Sequence, residues 1–343
     1  MQNIRKVSFA LIAWLGFTNA QAIDILTNGD TALSIGGYIK AEGVFDYPEE
    51  GDSSFKGEIR ESRINLKTTK TINDKKLTGF VEGDFYGDFP SGGADLRLRH
   101  AYMQVDDLTV GKTWNGQFFA VAPLLTEQLD FWGTAFGTIV GGGTYSRPDL
   151  TVHYTHKGLR LTAQQPIYDD AGIPDMVASY SGKVDNFNYN LAVTAREAKN
   201  GTESDVGIGA SLAGKLTLGK GSLHASVYNG KGMGGYSGIC VAGPFGTTGG
   251  LDCDAEDGEL ISQTGYSLGY RHQITDKLRG NMSYGAVNVD DVAETSVNIK
   301  IANLIYAYTP DIDFGIEWRD RNKTTLPWRP EGQQLKVMAQ YKF

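Results

Sequence analysis

Beyond its first 22 residues the chain has no long apolar run. Nothing after Ala22 approaches the roughly 18 apolar residues that a spanning helix needs, so a membrane-embedded form must cross as strands. Histidine is scarce: His100, His153, His156, His224 and His272 are scattered without metal-ligand spacing. A hydrolase needs a nucleophile beside a positioned histidine, and nothing in the order of residues favours His100 or His153 for that role. We therefore expect no enzyme, metal or cofactor. Positive charge is short as well, with 32 Lys and Arg against 40 Asp and Glu and a net charge of −8, which argues against a nucleic-acid partner. Only two cysteines occur, Cys240 and Cys253, both in one loop, and in an exported chain they predict an intraloop disulfide. No fixed-period repeat marks a solenoid or propeller.

Two motifs are incomplete. Gly209-Ala210-Ser211-Leu212-Ala213-Gly214-Lys215 is followed by Leu216 where a nucleotide loop needs Ser or Thr, and no helix is expected after it. Asp252, Asp254, Glu256, Asp257 and Glu259 suggest a calcium loop, but Gly258 is one position late and Gln263 stands where the bidentate Glu belongs. A solvated acidic surface loop is the expectation, with divalent-ion bridging to lipopolysaccharide as the other reading.

Export is written at the N-terminus. Basic Arg5 and Lys6, an apolar run from Val7 to Phe17 and Ala20-Gln21-Ala22 have the three parts of a cleaved signal peptide. Cleavage after residue 22 leaves one domain, residues 23–343, and takes the net charge from −8 to −10.

What is abundant is alternation. From Leu77 to Tyr102, Leu77, Val81 and Phe85 share one parity, while Glu82, Asp84 and Tyr86 share the other. The return repeats the split, with Leu96 and Leu98 against Arg97 and Arg99. A soluble sandwich would press the apolar face on a core, whereas a membrane barrel gives it to lipid and turns the charges into a lumen. Gly is frequent (44 residues), which with many Tyr and Phe and polar loops suits the barrel.

The same period recurs along the chain after a polar lead, Ile23 to Thr31, and around an acidic loop, Pro48 to Gly57. Short polar turns such as Asn73-Asp74, Asp106-Asp107 and Pro310-Asp311 alternate strictly with longer loops. That asymmetry belongs to a barrel with periplasmic turns at one end and extracellular loops at the other. The strand count is about 16. Between Asn115 and Tyr145 the connection is unusually apolar, with Phe118, Phe119, Leu124, Leu125, Phe131, Trp132 and Phe136, so it must be buried, and the lumen is the natural place. The last strand alternates from Leu335 to a terminal Phe343, a pattern that resembles the assembly signal of bacterial outer-membrane proteins. Tyr270, Tyr308, Trp318 and Trp328 fit interfacial girdles.

Lumenal charge is then the functional signal. Parity turns Arg63, Lys67, Arg97 and Arg99 inward beside Glu82 and Asp84, and further inward arginines are Arg160, Arg196, Arg271, Arg279 and Arg319. Guanidinium groups along a low-dielectric channel attract anions and can clamp a carboxylate through two parallel hydrogen bonds. The competing reading is that each arginine pairs with an acid and props up the wall. Glu127 and Asp130, in the apolar loop, either neutralise the arginines or set a transverse field across the constriction.

Several segments match a family. Gly36 to Tyr47 (GGYIKAEGVFDY), Glu61 to Thr69 (ESRINLKTT), Gly79 to Gly87 (GFVEGDFYG), Leu96 to Tyr102 (LRLRHAY), Gly111 to Asn115 (GKTWN), Glu127 to Gly133 (EQLDFWG) and Ala302 to Pro310 (ANLIYAYTP) resemble the DcaP-like trimeric porins. The resemblance implies a 16-stranded barrel, a homotrimer, a third long loop folded into the pore, and a preference for dicarboxylates and other organic anions, with Arg63, Arg97 and Arg99 as the basic wall. Two departures stand out. Ile23 to Thr31 is too short for the N-terminal coiled coil of dicarboxylate-carrying members, and Ser146-Arg147-Pro148 stands where such porins tend to have Arg-Gln-Pro. The expectation is a passive channel for small anionic solutes in the outer membrane of a Gram-negative bacterium, in contact with its lipid and lipopolysaccharide. The alternatives are a non-selective porin and a plugged barrel acting as a receptor or structural protein.

Overall fold

The computed structural model describes residues 23–87, 93–117, 124–129, 147–167, 171–200, 203–237, 254–292, 294–322 and 331–343. The signal peptide, Asp130, Trp328 and both cysteines lie outside the described residues. Twenty strands are β1 (Ile23–Asn28), β2 (Thr31–Pro48), β3 (Ser54–Glu58), β4 (Arg63–Ile72), β5 (Lys75–Asp84), β6 (Arg97–Val105), β7 (Leu108–Lys112), β8 (Thr151–His156), β9 (Leu159–Gln164), β10 (Asp175–Val184), β11 (Phe187–Asn200), β12 (Glu203–Leu218), β13 (Gly221–Lys231), β14 (Ala255–Glu256), β15 (Glu259–Leu260), β16 (Ser262–Gln273), β17 (Leu278–Val289), β18 (Ser296–Ala307), β19 (Ile312–Asn322) and β20 (Gly332–Lys342).

Sixteen of them close an antiparallel ring: β2, β4 to β13 and β16 to β20, sealed where Tyr38 to Pro48 of β2 pairs with Lys342 to Gly332 of β20. The strand count read from the sequence is therefore met. The polarity is that of a barrel in lipid. On β13, Ser222, His224 and Ser226 are buried inside while Leu223 and Val227 are exposed outside, the reverse of a soluble sandwich.

The two-residue turns carry residues that tolerate positive φ. Asn73 (49°) and Asp74 (64°) close β4 onto β5, a primed hairpin geometry that matches strand twist. At the other end the alternation is looser than the sequence suggests. The β11–β12 ladder runs through Asn200 opposite Glu203, leaving two residues between strands.

Two further stretches differ from expectation. The polar lead is strand β1, paired with Thr31 to Ile35 of β2, and the acidic loop contains β3, whose Phe55 packs on Phe45 with ring centroids 4.6 Å apart. Both follow from the 18-residue length of β2, whose edges extend past β20 and β4 and are completed by local chain. The junction is Gly37. Its amide donates to the Phe343 carbonyl at 3.0 Å and its carbonyl accepts from the Phe343 amide at 3.1 Å. Its φ is 151°, and a Cβ there would lie 2.2 Å from the Arg63 carbonyl oxygen, so only glycine fits.

Candidate functional site

The inner face of β4 to β6 gathers five of the residues that parity turned inward. Arg63 stands opposite Asp84 in one ladder, and Asp84 opposite Arg97 in the next. Beyond that the register shifts: Glu82 faces His100 and Gly83 faces Leu98, leaving Arg99 as a bulge residue. The bulge lets Arg97, Arg99 and His100 all turn inward, although strict alternation would put His100 on the outer face with Leu98.

Asp84 is the hub. Arg97 holds it through two hydrogen bonds (Nε–Oδ1 2.9 Å, Nη2–Oδ2 2.6 Å) and Arg99 adds Nη1–Oδ2 at 2.6 Å. Glu82 accepts from Arg99 Nε at 3.1 Å, with Arg63 Nη1 at 3.8 Å. The acids thus orient the arginines, as the propping reading requires. The Asp84 side chain is 1% exposed and that of Arg97 is 24%, so Arg97 presents the accessible charge.

Aromatic rings organise the same guanidinium groups. Tyr86 lies between Arg60 (4.9 Å) and Arg97 (5.3 Å), Trp114 between Arg147 (4.5 Å) and Arg99 (5.8 Å), and Tyr38 under Arg63 (5.3 Å). Arg147 is the residue that sequence reasoning missed as part of this wall. It lies in the β7–β8 loop, where no strand period marks a direction, and Lys112 Nζ holds its carbonyl at 3.0 Å. Burial, and then the positive charges of Arg99, Arg97 and Arg63, pushes its guanidinium well below the ordinary range. Arg63, Arg97, Arg99 and Arg147 stand against Glu82 and Asp84, an excess of two positive charges over these six residues.

The β7–β8 loop enters the interior. Leu124 packs on Ala213, and its carbonyl accepts from His224 Nδ1 at 2.8 Å. Thr126 sits where a Cβ on Gly269 would come within 2.5 Å, so that glycine makes room for it. Glu127 takes two hydrogen bonds from Arg279 (2.7 and 2.6 Å), has Arg271 at 3.9 Å, and its carbonyl accepts from Asn303 at 3.0 Å. The Leu129 amide donates to Glu317 at 2.9 Å, its carbonyl accepts from Lys40 Nζ, and its side chain packs on Ile305 and Met338. Residues 124–129 therefore run along the inner wall from β12 round to β2.

The remaining residues of the predicted set are dispersed. Arg319 is fully buried, with Nε donating to Glu317 at 2.6 Å. Arg160, on β9, donates to Thr155 Oγ1 at 2.9 Å, away from the β4–β6 wall. Lys67 is on the inner parity of β4 but exposed, opposite Phe80 and Ser34, and no ion pair reaches it among the described residues. Lys67→Ala is expected to move the reversal potential in a salt gradient less than Arg97→Ala does. An equal shift would put the selective charge elsewhere on β4.

One expectation is corrected: the acidic loop is not wholly solvated. Asp254 is buried, bound to Arg196 and to the Gly234 amide, while Tyr236 Oη donates to Asp175 at 2.8 Å beside the same arginine. A buried guanidinium draws a carboxylate out of solvent. The nucleotide-loop-like motif forms the middle of β12.

No family model matches the sequence, and no curated protein does. Among solved structures, the chain is similar to the outer membrane channel DcaP of Acinetobacter baumannii. That match is 18% identical, covers 93% of this chain and 99% of that one, and has a TM-score of 0.74. It is also similar to the trimer form of OmpT, an outer membrane protein of Vibrio cholerae (14% identity, 91% and 99% coverage, TM-score 0.63). The anion-selective porin from Comamonas acidovorans is a third likeness (11% identity, 91% and 100% coverage, TM-score 0.66). The barrel thus has the fold of outer-membrane channels.

Proposed function

We propose that the chain, exported with cleavage after Ala22, is a passive channel for small anionic solutes, a homotrimer in the outer membrane of a Gram-negative bacterium. The observation that carries this reading is the surplus of guanidinium groups on the β4–β6 wall, with Arg97 the accessible one. Supporting it, one protein of the same fold is described as anion-selective, and another as a trimer. The arginines form two clusters, one flanking Tyr86 and one flanking Trp114. Two cationic points along one wall suit a solute with two carboxylates better than one with a single charge.

Planar-bilayer recording tests this. In a potassium chloride gradient the reversal potential is expected to favour chloride, and succinate is expected to block the current more strongly than acetate. A cation-favouring potential overturns the charge argument, equal block by the two acids leaves a non-selective porin, and absence of conductance leaves the plugged receptor.

A further inference from the structure

The lysine that ends the nucleotide-loop-like motif has no part in the wall described above. On β12, Lys215 shares the inner parity of buried Ser211 and Ala213, while Leu212 is exposed outside. It stands opposite His224 of β13, and two positions along β13, Ser222 stands opposite Arg271 of β16. Two strand spacings across and two residues along put the backbones of Lys215 and Arg271 about 12 Å apart, a gap that two long side chains close. Their positive charges act on each other and on His224 between them.

Neither cation is held by an acid. Among the described residues no hydrogen bond or ion pair reaches Lys215. Arg271 donates to Gln273 Oε1 at 3.2 Å and has Glu127 at 3.9 Å, but that carboxylate takes two hydrogen bonds from Arg279, and Asp313 is shared by Arg279 and Lys342. Arg279 and Lys342 thus balance Glu127 and Asp313. Lys215 and Arg271 remain as two positive charges in excess, and the Arg271 side chain is 33% exposed.

This pair is separated from the β4–β6 wall both around the ring and along it. β13 is eight places from β5 in the ring of sixteen, on the opposite side. Lys215 and Arg271 are each four residues from the tight turns at Gly219-Lys220 and Thr275-Asp276, whereas Arg63, Asp84 and Arg97 are nine or ten from the turns at the same end. At about 3.3 Å per residue and a tilt of about 40°, the difference is roughly 13–15 Å along the barrel axis. Residues 124–127 lie between these levels. Leu124 meets Ala213 and His224, and Thr126 fits over Gly269, positions two residues farther from the turns than Lys215, Ser222 and Arg271.

We propose that Lys215 and Arg271 form a second anion site, on the opposite wall and on the turn side of residues 124–127, which receives a carboxylate of the solute between the arginine wall and the periplasmic end. The site rests on the anion-channel reading above and adds a second step to it. Conduction needs binding that is favourable enough to enter and divided among sites weak enough to leave. Lysine suits the later step, because its ammonium is strongly hydrated and binds as a point charge, without the bidentate fork of the β6 arginines.

Single-channel recording with succinate in both chambers tests the site, because reversing the voltage reverses the end from which the dianion is drawn. Wild type is expected to be blocked at both polarities. Lys215→Gln with Arg271→Gln is expected to weaken block severalfold at one polarity and leave the other unchanged. Lys215→Gln alone, which removes no contact to the loop, is expected to show part of the same asymmetry, and Lys215→Arg with Arg271→Lys, which keeps both charges, to retain block at both polarities. An unheated gel checks that each variant is folded. Wild-type block in the double glutamine variant overturns the site and leaves the anion channel standing, and so does an equal loss at both polarities, the mark of a field spread over the whole lumen. If wild type itself neither favours chloride nor is blocked by succinate, the anion channel and this site fall together.

Discussion

Replacing Arg97 and Arg147 together by glutamate is expected to reverse the proposed anion preference. Counted over six of the wall's residues, Arg63, Arg97, Arg99 and Arg147 against Glu82 and Asp84 leave an excess of two positive charges. The double substitution moves that excess by four units, to two negative charges. An ion passing about 6 Å from one unit charge feels about 3 kcal/mol at an effective dielectric near 20. Screening at physiological salt reduces this to about 1 kcal/mol or less. Four units still change the ratio of anion to cation permeability by more than tenfold, enough to cross unity. Arg97 and Arg147 are the pair to change because Arg99 remains on Asp84 and Glu82, so the buried acids keep a partner. The measurement is the reversal potential in a potassium chloride gradient, after an unheated gel has shown a folded barrel. If chloride is still favoured, the selective charge is not on this wall.

That Arg147 belongs in this experiment shows where sequence reading stops. Parity located Arg63, Glu82, Asp84, Arg97 and Arg99 because each sits in a strand with lipid on one side and a wet lumen on the other, and the period of two is then a direct record of direction. The closed ring was legible for the same reason. Arg147 sits in a loop, so its approach to Trp114 depends on tertiary packing and leaves no trace in spacing. His100 was hidden by the bulge at Arg99, a single-residue shift that inverts parity without changing composition. The β1 strand was hidden because its six residues, Ile23–Asn28, are too few to carry a clear period, and it becomes a strand because β2 offers an unfilled edge. Asp254 read as solvent-facing because its partner, Arg196, is 58 residues away.

The acids of the hairpin, which seemed to weaken the positive field, also make it usable. An arginine held by two hydrogen bonds is fixed in direction and has lost its side-chain entropy before a solute arrives. Asp84 orients Arg97 in this way and leaves part of the guanidinium accessible. The cost is one unit of field per acid, and Arg147 on the inward loop offsets part of it. The proposed selectivity wall thus draws on two sources, the strands and the loop, and the residues that hold the loop become part of the proposal.

Removal of the Glu317 carboxylate tests the hold on the loop most directly. Glu317 is fully buried and accepts three hydrogen bonds: from the Leu129 amide at 2.9 Å, from Asn303 at 2.9 Å and from Arg319 at 2.6 Å. Glu317→Ala removes a carboxylate to which the buried Arg319 guanidinium donates, a change of about 3–5 kcal/mol for a broken buried pair. The backbone ladders of β18, β19 and β20 run through the site, with Glu317 opposite Asn303 on one side and Lys336 on the other, and do not need the side chain. The barrel is thus expected to fold, while water enters to solvate Arg319 and residues 124–129 lose their tie to β19. Single-channel conductance should rise severalfold with added open-channel noise. Glu317→Gln keeps an acceptor for the Leu129 amide and for Asn303 but removes the charge that Arg319 needs, so its effect should lie between wild type and alanine. If Glu317→Ala has wild-type conductance and noise, the loop is held by its other contacts, Glu127 with Arg279 and Lys40 with the Leu129 carbonyl among them, and the carboxylate does not tie it down.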